Sequence, residues 1–394
     1  MRFIDKLPYS VGMRSKKAFL SYILVALFII FFVCNFIGSK AATSNNIDNV
    51  DDNFKQNGDT FLKDNDDDKL GLNKSVAEQT DKTAVYKRSF KISCVADQDL
   101  LSPFKGQFRS YRLNGRLDIT QCLECDQLFK VNVIFYHKPL ELLTGYGYKQ
   151  RGAELSELIQ YNGKLITCDD RTGIIFELTN DNNLIPYILL SDGNGANSNK
   201  GFKCEWMTIK NNELIIGSIG KEWTTKNGTI QNYDPTYVKV ITKNGVVTHT
   251  EWRANYEKIR NAIGCAWPGY FVIEVVIYSY IRDSWIILPR RISKDLFNEK
   301  QERNAGSNLL IETDMNFNIL QTIHIGRDNK RRGFSSAKFI PGTDDNILFG
   351  LRTEEITDDL MKTYYTVFNI NGVVLVEERL LSDNIKYEGV EFVM

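Results

Sequence analysis

The chain has 394 residues, with 49 Lys+Arg against 49 Asp+Glu, and so carries no formal net charge. That balance excludes a strongly basic nucleic-acid binder, which needs surplus cations to displace counterions from phosphates. The 43% hydrophobic and 12% aromatic content excludes wholesale disorder, and eight prolines without a low-complexity tract exclude fibrous classes.

The balance hides segregation. Residues 1–17 sum to +4, and residues 18–37 (AFLSYILVALFIIFFVCNFI) carry no charge. Twenty residues at about 1.5 Å each span roughly the 30 Å hydrocarbon core of a bilayer. The run is longer than the apolar region of a cleaved signal peptide, and its positive flank is N-terminal. The sequence therefore predicts a cytosolic tail (1–17), a transmembrane signal anchor of type II topology (18–38) and everything after it on the far side. Residues 41–84 hold ten acids against five lysines without apolar periodicity, which makes 39–84 an acidic, disordered stalk. The folded part is then 85–394, lumenal in the endoplasmic reticulum or Golgi. A cleaved form at the cell surface or outside it is the variant of that placement.

Six cysteines lie beyond the anchor: Cys94, Cys122, Cys125, Cys168, Cys204 and Cys265. An even number in an oxidising lumen fits disulfides alongside plain buried thiols. Cys122-x-x-Cys125 stands without a second such pair, and three histidines are too few to argue for zinc. Asn73-Lys-Ser and Asn227-Gly-Thr are glycosylation acceptors in this topology.

From residue 85 onward, short apolar runs are broken by Asn-Gly, Asn-Asn, Asp-Ser and Asp-Asp. They predict hairpins at 157–170, 207–220, 238–252, 275–289, 337–352 and 363–380. Tyr256, Ile259 and Ile263 at helical spacing predict one helix within 252–263. An all-β domain of this kind is a sandwich, a barrel or a propeller. A weak repeat separates them. An acid or hydroxyl recurs at the start of a strand at Ser156, Glu205, Glu274, Ser335 and Glu388, with gaps of 49, 69, 61 and 53 residues. That spacing is the size of a four-stranded blade with its loops, so the reading is a five-bladed β-propeller. In a propeller such positions converge on the axis. Three carboxylates and two hydroxyls there call for a cation, and oxygen-only donors drawn from five blades favour calcium.

The strings ELSELIQYNGKL (154–165), TCDDRTG (167–173), KGFKCEW (200–206), IGKEWTT (219–225), GFSSAKFIPGTDDNIL (333–348) and KYEGVEF (386–392) resemble the soluble calcium-activated nucleotidase, or apyrase, family. The resemblance covers roughly 88–394. It implies a propeller that holds one Ca2+ and hydrolyses nucleoside di- and triphosphates, with Ser156, Glu205, Glu274, Ser335 and Glu388 as calcium positions. Glu157 is then a partner through water. Val275-Val276-Ile277 departs from the small and polar residues of the family pattern, and 100–150 match poorly.

Phosphoanhydride hydrolysis needs a positioned water and charge neutralisation on the phosphoryl oxygens. Asp97, Asp99, Asp169 and Asp170 each stand near the end of a short apolar strand. Asp97 and Asp170 are the first choices to orient or deprotonate the water, and the other member of each pair reads as a substrate contact or a turn cap. Arg171, Lys221, Arg290 and Arg291 are the cations expected near the polyphosphate, and Trp223 the residue that stacks on the base. The rival class is a calcium-stabilised propeller that binds a partner without catalysis. Pairing of two chains is left open.

Overall fold

The computed structural model describes residues 85–122, 129–196 and 198–393. The tail, anchor and stalk expected from the sequence lie outside the described residues. Among the described residues no helix is long and apolar enough to cross a membrane.

The described residues begin with five strands: β1 (Val85–Asp97), β2 (Pro103–Phe104), β3 (Gln107–Cys122), β4 (Phe129–Phe135) and β5 (Leu140–Thr144). Four antiparallel sheets follow in sequence. The first blade is β6 (Leu155–Tyr161), β7 (Lys164–Asp169), β8 (Ile174–Leu178) and β9 (Leu184–Leu189). In the second, β10 (Trp206–Lys210) and β11 (Glu213–Gly217) are followed by a separate hairpin of β12 (Trp223–Thr224) and β13 (Ile230–Asn232). β14 (Tyr237–Ile241) and β15 (Val247–Glu251) complete that blade. The helix α1 (Arg253–Ala262) leads to the third blade, β16 (Tyr270–Ser279), β17 (Ser284–Ser293), β18 (Leu309–Thr313) and β19 (Ile319–His324). The fourth is β20 (Arg332–Phe339), β21 (Ile347–Glu355), β22 (Met361–Asn369) and β23 (Val374–Ser382). The last strand, β24 (Lys386–Val393), pairs with β1 and so completes a fifth blade built from both ends of the domain.

β6, β10, β16, β20 and β24 are neighbours in a closed ring, each beside the next and β24 beside β6. This is the five-bladed propeller that the repeat implies. The six expected hairpins and the helix are present, the hairpins joining largely buried strands through turn residues that tolerate positive φ, such as Asn162, Asn211 and Asn212. The apolar clusters lie between blades. Trp206, Trp252, Phe271 and Trp285 seal the second against the third, and Ile92, Leu117, Phe349 and Val390 seal the fourth against the fifth. Val95, Leu155, Leu158 and Phe176 join the fifth to the first. Burial of those faces, at roughly 25 cal/mol per Å² of apolar surface, is what drives the ring closed.

Cys168 and Cys204 form a disulfide, while Cys94 and Cys265 are buried free thiols. Cys122 is also disulfide-bonded and so is no zinc thiolate. Closing the 36-residue separation constrains the unfolded chain by roughly 4 kcal/mol in the loop-entropy treatment.

The seam between β24 and β6 is tight. A Cβ on Gly389 stands 2.6 Å from the carbonyl carbon of Glu157 and 2.8 Å from the nitrogen of Leu158, both backbone atoms. Gly389→Ala therefore overpacks the junction of first and last blades and costs about 1–3 kcal/mol. Thermal unfolding followed by circular dichroism should show a Tm lowered by a few degrees; an unchanged Tm would mean that the seam yields freely.

Candidate functional site

The five repeat residues stand on or immediately before the five innermost strands, and four of them are bulged out of the ladder. Along β6 and β7 the register passes from Leu155↔Asp169 to Glu157↔Cys168, which leaves Ser156 unpaired. Glu274 is skipped between Ile273↔Pro289 and Val275↔Leu288. Ser335 is skipped between Phe334↔Arg352 and Ser336↔Leu351, and Glu388 between Val95↔Gly389 and Ala96↔Tyr387. A bulge re-aims a side chain without ending the strand. Glu205 reaches the same level by standing one residue before β10, its amide donating to Gly217 O at 2.9 Å.

The result is a dense buried charge cluster. Ser156, Glu205, Glu274, Ser335 and Glu388 are all at most 5% exposed. Arg290, skipped from the facing strand, donates from Nη1 to both oxygens of Glu274 (2.7 and 2.6 Å) and to Glu388 Oε1 (2.7 Å). Its Nη2 reaches Glu355 Oε1 at 2.7 Å. A guanidinium thus stands between carboxylates from different blades, where a cation satisfies them. Ser156 Oγ is buried with no hydrogen-bond partner among the described residues. An oxygen-only donor set with an orphaned hydroxyl fits a hard divalent cation. Glu157 turns to Leu158 N (2.8 Å), Ser336 Oγ (3.0 Å) and Lys338 Nζ (3.4 Å), and burial raises its carboxyl to about 7.

A second arc of acids adjoins the ring. Asp97, Asp99 and Glu154 present carboxylate oxygens within 4.8 Å of one another. Lys386 Nζ contacts Asp97 and Asp99 at 2.5 Å each and Glu355 and Glu388 at 3.5 Å. Arg151 forks onto Glu154 and reaches Asp99 at 2.7 Å. Burial, then the Asp99 charge, raises Asp97 to about 7 against the pull of Lys386. Burial opposes the charge on Asp170 too, but the charge and hydrogen bond of Lys203 outweigh it and hold that carboxyl below its ordinary value. Asp170 Oδ1 is buried without a hydrogen-bond partner among the described residues. Burial and the charges of Asp170 and Asp97 raise Glu154 well above the carboxylate range. Lys203 also reaches Glu205 at 2.7 Å, and burial raises Glu205 to about 8.

The other sequence candidates separate by role. Asp169 caps a turn, accepting from the amides of Ala153 (3.1 Å), Arg171 (2.9 Å) and Thr172 (3.4 Å). Asp99, its counterpart, is engaged by cations instead. Arg290 is a counter-ion inside the ring, and Arg291 lies 3.3 Å from Glu355. Arg171 lies over Tyr148, with its guanidinium carbon 5.8 Å from the ring centre. Lys221 is buried against Phe297 and donates to Glu222 O. Trp223 gives its Nε1–H to Asp192 at 3.0 Å, and Lys200 stacks on its ring at 3.7 Å. Sequence reasoning missed Arg151, Glu154, Lys203, Glu355 and Lys386. A signal was there for three of them, since Glu154, Lys203 and Lys386 each stand two residues before a ring position.

Comparison with known proteins shows what the chain is similar to. A family profile described as Apyrase matches residues 97–393. The chain is 41% identical over 307 residues to the "Apyrase" of Cimex lectularius, covering 77% of this chain and 82% of that one. It is 41% identical over 306 residues to the "Soluble calcium-activated nucleotidase 1" of Mus musculus, covering 77% and 74%. With "Apyrase apy-1" of Caenorhabditis elegans it shares 40% identity over 243 residues, covering 61% and 68%.

Lys386 is the cation on which the second arc depends. Lys386→Met leaves Asp97, Asp99 and Glu388 buried with less compensation, at a cost of about 3–5 kcal/mol. A buried carboxyl with a raised pKa binds its proton more tightly folded than unfolded, so its burden appears as pH rises through the folded value. Denaturant unfolding should therefore show a larger deficit at pH 8 than at pH 5. A deficit independent of pH would remove Asp97 from contact with this charge.

Proposed function

The chain belongs to the apyrase family of nucleotide phosphohydrolases, and from that premise we propose that it cleaves the terminal phosphoanhydride of nucleoside di- and triphosphates at the ring of inner-strand acids, in a calcium-dependent reaction. The observation that carries the reading is the juxtaposition of an oxygen-only ring holding an orphaned hydroxyl with an acid, Asp97, poised near pH 7. Ser156, Glu205, Glu274, Ser335 and Glu388 would hold the ion, with Glu157 behind Ser156. When bound, calcium supplies positive charge for phosphate oxygens and a site for water.

The chain's own residues account for the rest. Asp97 Oδ1 accepts the Asp99 amide at 2.7 Å and Oδ2 meets Lys386, so the carboxylate is fixed in direction. A base near pH 7 combines adequate ionised fraction with adequate proton affinity. It takes the proton of the attacking water as the oxygen adds to phosphorus, and the bridging oxygen leaves with the shorter nucleotide. Lys203, Lys386 and Arg151 supply the charges that steady the phosphoryl oxygens. Asp170 holds Lys203 in place and Glu154 holds Arg151. Trp223, with Lys200 on one face, is the platform for the base.

A secretory-pathway setting, where such an enzyme clears UDP and GDP left by glycosyltransferases, is supported by three features. These are the apolar run at 18–37, the Cys168–Cys204 disulfide and the exposed acceptor Asn227 in the turn between β12 and β13.

Phosphate release from UDP, GDP, ADP and ATP should require calcium and disappear with chelator. Magnesium should not replace it. Absence of calcium-dependent release from all four would leave the non-catalytic propeller as the better reading. Asp97→Asn should lower kcat about 10²–10⁴-fold, and the wild-type rate should climb as pH passes through about 7; the variant should lack that limb. Glu205→Gln should raise the calcium concentration needed for half-maximal rate, whereas an unaltered requirement would remove Glu205 from the ligand set.

A further inference from the structure

The Cys168–Cys204 disulfide stands between the two residues that the proposed chemistry asks to cooperate across a blade boundary. Cys168 lies two residues before Asp170, near the end of β7 in the first blade. Cys204 lies between Lys203 and Glu205, in the segment that enters β10 of the second blade. Lys203 crosses the seam, meeting Asp170 on one side and Glu205 at 2.7 Å on its own.

The hydrogen bonds nearest Asp170 and Glu205 come from their own blades, and the segment entering β10 is tied to the first blade only farther back, where the Phe202 amide donates to Leu190 O at 2.9 Å. The Asp170 amide donates to Glu154 O at 3.0 Å, and Asp169 caps the turn around it. The Glu205 amide donates to Gly217 O in the second blade, and the Cys204 amide to Phe202 O at 3.1 Å. The ion pair across the seam is an imperfect fastener. Lys203 is 30% exposed, so water and salt screen its attractions. Asp170 and Glu205 meanwhile repel each other across the same gap. A covalent bridge that fixes the Cα atoms of residues 168 and 204 at 6.2 Å does not weaken with salt or with the charge state of its neighbours.

The geometry points to this disulfide as the positioning device of the active site: it sets Asp170 against Lys203 and Glu205 across the first and second blades. The inference rests on the calcium-dependent reading above. Cys168 and Cys204 touch neither ion nor substrate and act through the residues beside them. Their loss acts on calcium affinity and kcat more than on KM.

The test uses the full chain as Cys168→Ala/Cys204→Ala and as Cys168→Val/Cys204→Ala, the second filling more of the vacated volume. A control replaces the buried free thiols, Cys94→Ala/Cys265→Ala. Calcium binding is measured directly by calorimetric titration, with Tm and UDP kinetics beside it. The calcium Kd should rise roughly 10–100-fold, as for loss of groups that orient metal ligands. Kcat should fall by a similar factor with KM little changed, while the control loses Tm without losing calcium affinity. Variants that bind calcium and turn over UDP like the wild type overturn the proposal, and so does a control that loses affinity in proportion to its Tm. If neither bridge variant folds, the wild-type chain is reduced under native conditions, with alkylation mapped to Cys168 and Cys204 and with Cys122 shown to remain disulfide-bonded, and gives the same readout. A wild type that releases no phosphate from any nucleotide sinks the enzymatic reading, and the calcium titration then decides the clamp by itself.

Discussion

Carboxylates from every blade end in a space that water barely enters, and the domain is organised around keeping them there. Removing an ionised carboxylate from water costs several kcal/mol even after relaxation, and like charges add to it. The cations that answer this cost are shared between blades. Arg290 of the third blade serves Glu355 of the fourth and Glu388 of the fifth. Lys386 of the fifth blade meets Glu355 of the fourth, Lys203 meets Asp170 of the first, and Arg151 ahead of the first meets Asp99 beyond β1. Such pairs seldom add net stability. They fix the angular positions of blades that the interblade apolar clusters have already pressed together.

The bulges are the backbone's share of the same arrangement. A regular strand sends successive side chains to opposite faces, so acids within it face into the packing between blades or out of it. Skipping one residue at positions 156, 274, 335 and 388 turns each toward the axis while the apolar residues on either side keep their interblade contacts. Four of the five blades share this defect, and the second reaches the same level by placing Glu205 just ahead of β10. Here local irregularity and function coincide, as they do where strain is tolerated for chemistry.

The sequence made the hairpins legible because their signals are local: alternating apolar residues closed by Asn-Gly or Asn-Asn. The ring positions were legible because they recur. The fifth blade was harder to read. β3 runs from Gln107 to Cys122 through Arg112, Asn114, Arg116 and Asp118, polar residues that obscure a sixteen-residue strand. Arg112 is in fact buried against Ser93 and Asn114. Lys386 and Lys203 were missed for a different reason. A lysine reads as surface until its partners are known, and Asp99 is 287 positions from Lys386. No local pattern encodes that contact; only closure of the ring creates it.

Closure itself makes the charge cluster all-or-none. β24 carries Lys386 and Glu388 and pairs with β1, which carries Asp97, although the two strands lie at opposite ends of the described domain. Until they meet, Asp97 lacks its counter-ion, Arg290 lacks one of its acids, and the ring is open. Loosening that one seam therefore unbalances charges on several blades at once, so the cluster disperses as a unit and not residue by residue.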